Sequence, residues 1–146
     1  NYLRRSLGAG PVMPRGLPLW KPPYTRLTAI DMNTGEHVWM TPTGNGDRIR
    51  NHPMLRELDL PPLGGDAGMS GPLLTRTLLI HALTAGGTDD GPRLVAYDKR
   101  TGAELASADL PSGAIGTPMT YLVDGKQYIA MTIGGNPPEL IAMTLP

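Results

Sequence analysis

The pattern A-x-D-x-x-T-G occurs twice, as "AIDMNTG" from Ala29 and as "AYDKRTG" from Ala96, with starts 67 residues apart. No other feature of the chain constrains its fold as strongly. Each copy places a carboxylate, a hydroxyl and a glycine at the spacing of a tight turn. Asp31 and Thr34 in the first copy, and Asp98 and Thr101 in the second, can hydrogen-bond the turn backbone. Gly35 and Gly102 supply the positive φ that other residues resist. Short apolar runs flank both turns: 25–31 and 36–41 around the first, 93–98 and 103–110 around the second. Two such runs joined by a turn make a β-hairpin. Self-similarity at a fixed interval marks a repeat architecture, and a β-propeller of antiparallel blades fits this one.

Composition supports short segments. Gly (19) and Pro (16) make up about a quarter of the 146 residues, and both punctuate a chain into turns. Five prolines before residue 25 (Pro11, Pro14, Pro18, Pro22 and Pro23) oppose helix and central strand alike, so an irregular arm is expected over 1–24. A long loop is expected over 42–69, with one helical turn at Met54–Leu58 confined by Pro53 and Pro61. Further strands are expected at 71–76, 77–85, 117–123, 127–133 and 139–146. Asp124-Gly125, in "VDGKQY", is a strong hairpin signal because Asp-Gly fits the type I′ turn. The chain is therefore predicted to be all-β: half a blade over 25–41, a whole blade over 70–110 and three strands of another over 117–145. Trp39, on the strand after the first turn, should point off its sheet and bury its indole against the neighbouring blade. The second copy has Ala106 at that place, so its contact should be weaker.

Several function classes fall away. With 13 basic and 13 acidic side chains the net charge is zero, which argues against a general nucleic-acid or membrane-surface binder. The absence of Cys excludes disulfides and thiolate metal sites. Apolar runs such as "LLIHAL" are far shorter than the roughly 20 residues that span a bilayer. His37, His52 and His81 lack metal-ligand spacing, and the adjacent Asp89 and Asp90 of "GGTDDG" lack the alternation of a calcium loop. The charged stretch Asp47–Pro53 reads as a solvated insertion ahead of a site for an acidic partner or lipid head group. A chain that starts at Asn1 is expected to be a processed product or a piece of something longer.

The longer pattern A-x-D-x-x-T-G-x-x-x-W, Ala29 to Trp39, resembles the tryptophan-docking motif of quinoprotein dehydrogenases, which use pyrroloquinoline quinone (PQQ). "LPSGAIGTPMTYLVDGKQYIAMTIGG" (Leu110–Gly135) is similar to the last blade of that family. "GLPLWKPPYTRLTAIDMNTGEHVW" (Gly16–Trp39) is similar to the C-terminal part of its membrane-bound glucose/quinate branch. The resemblance covers residues 16–146 and implies an eight-bladed propeller with this chain as the closing portion and the remainder of the propeller as partner. It also implies oxidation of a sugar or polyol hydroxyl, with a carboxylate base, hydride transfer to the quinone, Ca²⁺ as Lewis acid and ubiquinone as electron acceptor. Such an enzyme is periplasmic and membrane-attached. The family's base and metal ligands lie in earlier blades and no residue here matches them, so the chain alone is expected to be inactive and to bind neither PQQ nor Ca²⁺.

Three places are candidates for cofactor contact under the resemblance. The residue after the glycine pair of the last blade often faces the cofactor in relatives; here Gly134 and Gly135 are followed by Asn136, whose amide can hydrogen-bond a quinone or carboxylate oxygen. A loop that merely closes the blade explains "GGN" equally well. Met69 and Ser70 stand where soluble alcohol-oxidising relatives carry a Trp, and a plain loop is the stronger reading there. Lys21, beside Trp20 in "PLWKPPY", is a credible partner for a tricarboxylic quinone, although a rigid Pro-rich loop with a solvated Lys outweighs that role. A non-catalytic propeller scaffold for protein–protein interaction is the competing function, since propellers host many functions.

Overall fold

The computed structural model describes residues 12–65, 70–84 and 91–144. Met69, Asp89 and Asp90 lie outside the described residues, as do the last two residues of the expected final strand. Nine strands follow in chain order: β1 (Arg26–Ile30), β2 (His37–Pro42), β3 (Leu73–Leu74), β4 (Leu78–Thr84), β5 (Pro92–Asp98), β6 (Glu104–Asp109), β7 (Ala114–Val123), β8 (Lys126–Ile133) and β9 (Glu139–Thr144). They form three antiparallel sheets, ordered β1-β2, β3-β4-β5-β6 and β7-β8-β9.

The inner strands β4 and β5 of the four-stranded sheet are buried on both faces, whereas β6 is exposed along its length, which explains why β4 reads as a nearly continuous apolar run and not as alternation. On one face Ile80, Ala82 and Leu94 pack with Leu110 and with Ala114, Met131 and Ile133 of the third sheet. On the other face Leu79, Leu83, Val95 and Tyr97 pack against Leu27 and Trp39 of the β1–β2 hairpin. The three sheets are thus stacked face to face, with the hairpin and the three-stranded sheet as outer layers.

The structure corrects three expectations. The helical turn lies at Asp47–Arg50 (α1), upstream of Met54–Leu58. Pro53 has no amide to offer Ile49, so the helix ends there, and a separate turn closes where Leu55 and Arg56 N–H donate to the His52 carbonyl. The strand expected at 71–76 shrinks to Leu73–Leu74. Thr75 ends it: its N–H donates to the Leu78 carbonyl (2.9 Å) while its Oγ1 accepts from Leu78 N–H (3.0 Å), a turn made by a side chain where the sequence shows no Gly or Pro. β7 begins at Ala114, ahead of the expected 117, because Gly116 (φ 86°) and Pro118 sit in a bulge inside the strand and do not precede it. Over residues 12–25 the described part of the arm is irregular, save a short 3₁₀ turn at Pro14–Gly16; residues 1–11 lie outside the described residues. Asp124 (φ 51°) and Gly125 (φ 76°) both take positive φ, the type I′ turn between β7 and β8.

Candidate functional site

The two copies of the repeat fold alike. In the first, Asn33 N–H donates to Asp31 Oδ1 (2.7 Å), Glu36 N–H to Thr34 Oγ1 (3.2 Å) and Gly35 N–H to the Asp31 carbonyl (2.7 Å). In the second, Arg100 and Thr101 N–H both donate to Asp98 Oδ1 (2.7 and 3.0 Å), Ala103 N–H to Thr101 Oγ1 (3.3 Å) and Gly102 N–H to the Asp98 carbonyl (2.8 Å). Two amides, led by that of Arg100, hold the Asp98 carboxyl below its ordinary pKa of 3.8, because they stabilise its charged form. Gly35 and Gly102 have φ of 75° and 72°.

Trp39 joins one copy to the other. Its indole Nε1–H donates to the Lys99 carbonyl (3.1 Å) and its ring lies flat on Gly102, where a Cβ would come within 2.5 Å of the ring. Thr41 Oγ1 adds a bond to the Gly102 carbonyl (2.9 Å). The glycine therefore serves the turn and, by lacking a side chain, the indole. Trp39 and Ala106 hold equivalent positions, opposite Ala29 and Ala96 in their hairpins, and Ala106 is exposed.

The β5–β6 docking turn and the Gly134–Asn136 loop lie at opposite ends of the sheets. Lys99 N–H donates to the Thr77 carbonyl, so the β3–β4 and β5–β6 turns share one end. At the other end Thr84 closes β4, Gly113 precedes β7 and Gly134 follows β8. Gly134 N–H donates to the Gly113 carbonyl (2.7 Å), and a Cβ on Gly113 would lie 3.4 Å from Thr84 Cβ. Gly135 has φ 155°, and a Cβ there would meet the Pro137 carbonyl at 2.9 Å. Asn136 is exposed at the tip of this loop. Ser70 is buried, its Oγ donating to the Gly71 carbonyl (3.3 Å), and Gly71 abuts Thr117 so closely that a Cβ would sit 2.4 Å from its Oγ1. Lys21 is exposed on the segment before Tyr24, whose N–H donates to the Leu63 carbonyl. Pro42 and Asn45 share a groove with Leu83, Arg93, Tyr97 and Glu104. Among the described residues no hydrogen bond or ion pair joins Lys21 or Ser70 to Gly134–Asn136. The sequence did not single out Ser112, Gly113 and Thr84; "PSG" reads as a turn, and no spacing reveals that it meets the glycine pair.

The chain is similar to known proteins. The family profile described as PQQ, glucose/ethanol/alcohol dehydrogenase β-propeller domain, matches residues 5–129. The quinate/shikimate dehydrogenase (quinone) of Acinetobacter baylyi is 35% identical over 128 residues, covering 82% of this chain and 14% of that protein. The quinoprotein glucose dehydrogenase of Escherichia coli is 34% identical over 127 residues, covering 84% of this chain and 15% of that protein. The glycerol dehydrogenase large subunit of Gluconobacter thailandicus is 38% identical over 117 residues, covering 80% of this chain and 15% of that protein. The chain thus spans about a seventh of the length of these relatives. With its stacked antiparallel sheets, its doubled docking turn and a family match over most of its length, the chain belongs to the β-propeller family of PQQ-dependent dehydrogenases.

Proposed function

We propose that this chain is the closing portion of an eight-bladed PQQ-dependent dehydrogenase that oxidises a sugar or polyol hydroxyl, is periplasmic and membrane-attached, and passes electrons to ubiquinone. The observation that carries the reading is the alignment of 80–84% of the chain with dehydrogenases named for quinate/shikimate, glucose and glycerol, all polyhydroxylated compounds. A scaffold propeller shares the docking turn but not that kinship.

The loop end suits the cofactor. The exposed Asn136 amide offers two donors and an acceptor, and the exposed Lys21 ammonium offers three donors. Both match the carboxylates and carbonyls of a tricarboxylic quinone, and Gly134 and Gly135 let backbone approach it closely. Bound PQQ supplies the hydride acceptor. The part played by this chain is to bind and orient: Asn136 holds an oxygen at the rim, Lys21 balances carboxylate charge, and the buried strands beneath keep the rim rigid. Ca²⁺ and the general base are assigned to the rest of the propeller, because no residue here matches the family motifs that supply them.

The test uses the intact protein that carries this chain. PQQ-dependent oxidation of glucose, quinate or glycerol is expected, and Asn136→Ala should weaken PQQ binding by about tenfold, the worth of one hydrogen bond to a charged group. An intact protein that neither binds PQQ nor oxidises such substrates is a scaffold. The isolated chain, mixed with PQQ, Ca²⁺, glucose and an artificial electron acceptor, should show no turnover; a rate like that of the intact enzyme would place the catalytic groups here.

A further inference from the structure

We propose that the groove between the β1–β2 hairpin and the central sheet binds a small, singly charged carboxylate, with Arg93 as its anchor. Leu83 of β4 with Arg93 and Tyr97 of β5 line one wall, Pro42 and Pro62 line the other, and Glu104 of β6 completes the lining. The cavity measures about 270 Å³, near the lower end of the roughly 300–1,000 Å³ typical of small-molecule sites. Strand alternation brings an arginine here. Val95 and Tyr97 pack against Leu27 and Trp39 of the hairpin, and Arg93, two residues before Val95, shares their face opposite Leu83. Arg93 is partly buried and its Nε is enclosed, yet the Nε–H has no hydrogen-bond partner. Among the described residues its guanidinium enters no ion pair, although Asp109 faces it in the β5–β6 ladder and Glu104 lines the same groove. An enclosed N–H without an acceptor costs free energy, and native proteins give such groups an ion, a water or a ligand.

The lining decides the class of ligand. A guanidinium presents a planar fork that the two oxygens of a carboxylate meet with parallel bonds. Glu104 limits the total charge. It pairs with Tyr97, four residues and roughly 13 Å along β5 from Arg93. Its exposed carboxylate repels a second negative charge and accepts hydrogen bonds from hydroxyls. Between these ends Leu83, Tyr97 and the two prolines suit the C–H groups of a carbon chain. One carboxylate on a hydroxylated chain therefore fits, whereas phosphate or a dicarboxylate fits poorly. In the proposed blade β1 and β2 are the third and fourth strands, so the earlier strands add at the edge of β1, away from Pro42 of β2, and leave the groove open. The inference does not draw on the cofactor reading, and its test is run without PQQ.

The experiment is calorimetric titration of the intact protein that carries this chain, freed of PQQ, with D-gluconate, a single carboxylate on a polyhydroxylated chain. Saturable binding is expected. Arg93→Gln should weaken it about tenfold, and Arg93→Lys, which keeps the charge without the fork, should fall between the two. Neither glucose, which lacks the charge, nor inorganic phosphate should compete. Glu104→Gln, a change at an exposed strand position, should raise affinity for the dicarboxylate glucarate several-fold and leave that for gluconate nearly unchanged. This second variant carries the test if the Arg93 variants do not fold. Absence of gluconate binding, or binding that Arg93→Gln leaves unchanged, would overturn the proposal. So would competition by glucose, phosphate binding as tight as that of gluconate, or a glucarate affinity indifferent to Glu104→Gln.

Discussion

Trp39 and Gly102 are one device made by two residues distant in sequence. The indole needs a bare backbone to lie on, and the turn needs a positive φ; one glycine meets both needs. Gly102→Ala should therefore destabilise twice over, through a Cβ 2.5 Å from the ring and through the strain of φ 72°. A loss of about 2–4 kcal/mol is expected from denaturant titration, and a near-neutral result would mean that the ring slides aside freely. Trp39→Ala removes a half-buried indole and its bond to Lys99, so its cost should approach about 3 kcal/mol. Trp20 is 66% exposed, and Trp20→Ala should stay within about 0.5 kcal/mol. Equal unfolding midpoints for the two variants would contradict this ranking. Asp98 adds a pH term. Its folded pKa is depressed, so its stabilisation is present at neutral pH and is lost as pH falls below 3.8 and through the folded value. Unfolding midpoints compared between pH 7 and pH 3 should fall less for Asp98→Asn, which keeps an acceptor oxygen without a titrating charge; parallel curves would show that the carboxylate does not matter. The turn roles of Asp98 and Gly102 were legible in the sequence, because turn chemistry is local. The surface on which Trp39 lands was not, since Gly102 is remote in the chain and nothing local announces its partner.

At the scale of elements, legibility followed the same division. Hairpins with a glycine at a positive φ were read to within a residue or two. The misreadings fell where a side chain or a bulge replaced the glycine signal. Thr75 turns the chain between β3 and β4 by bonding Leu78 with both its amide and its hydroxyl. Thr75→Val keeps the shape and removes the hydroxyl, so it should lower stability by about 1 kcal/mol, and amide exchange at Leu78 should speed up selectively. Unchanged exchange at Leu78 would show that the backbone bond alone makes the turn. In β7, Gly116 reads as a breaker, yet the strand runs through it because β8 lies alongside on both sides of the bulge. Tertiary pairing overrides a local signal there, as it also leaves β3 only two residues long beside a fully paired β4. The candidate site shows the limit most plainly. Asn136 and its glycines were visible as a motif, whereas the Gly113 carbonyl that bonds Gly134 is met only when distant strand ends converge.

Across the whole molecule, β4 and β5 of the central sheet have both faces covered, and the outer two sheets have one face covered each. Ile30, Val38 and Met40 of the hairpin are 50%, 58% and 48% exposed, and Met119 and Leu140 of the third sheet are 56% and 76% exposed. Tyr121 and Tyr128 stack on that third sheet with ring centroids 5.3 Å apart, a flat aromatic surface suited to packing. Strand edges add to this. Among the described residues β1 pairs only with β2 and β9 only with β8, and neither β1 nor β9 carries the Lys or Pro that often guards an edge. In the proposed intact enzyme further blades cover these faces, and Gly35, whose missing side chain faces open space, offers a preceding blade the same seat that Gly102 gives Trp39. The chain by itself has no such cover, and its zero net charge provides little repulsion between copies. The isolated chain should therefore self-associate through its outer faces or edges, with scattering mass rising steeply with concentration. Charged substitutions on both outer faces, such as Met40→Lys and Leu140→Lys together, should lower that mass without changing the fold. A monodisperse monomer at high concentration, with well-dispersed amide signals, would mean that these faces do not wait for other blades and that the parsing into incomplete blades is wrong.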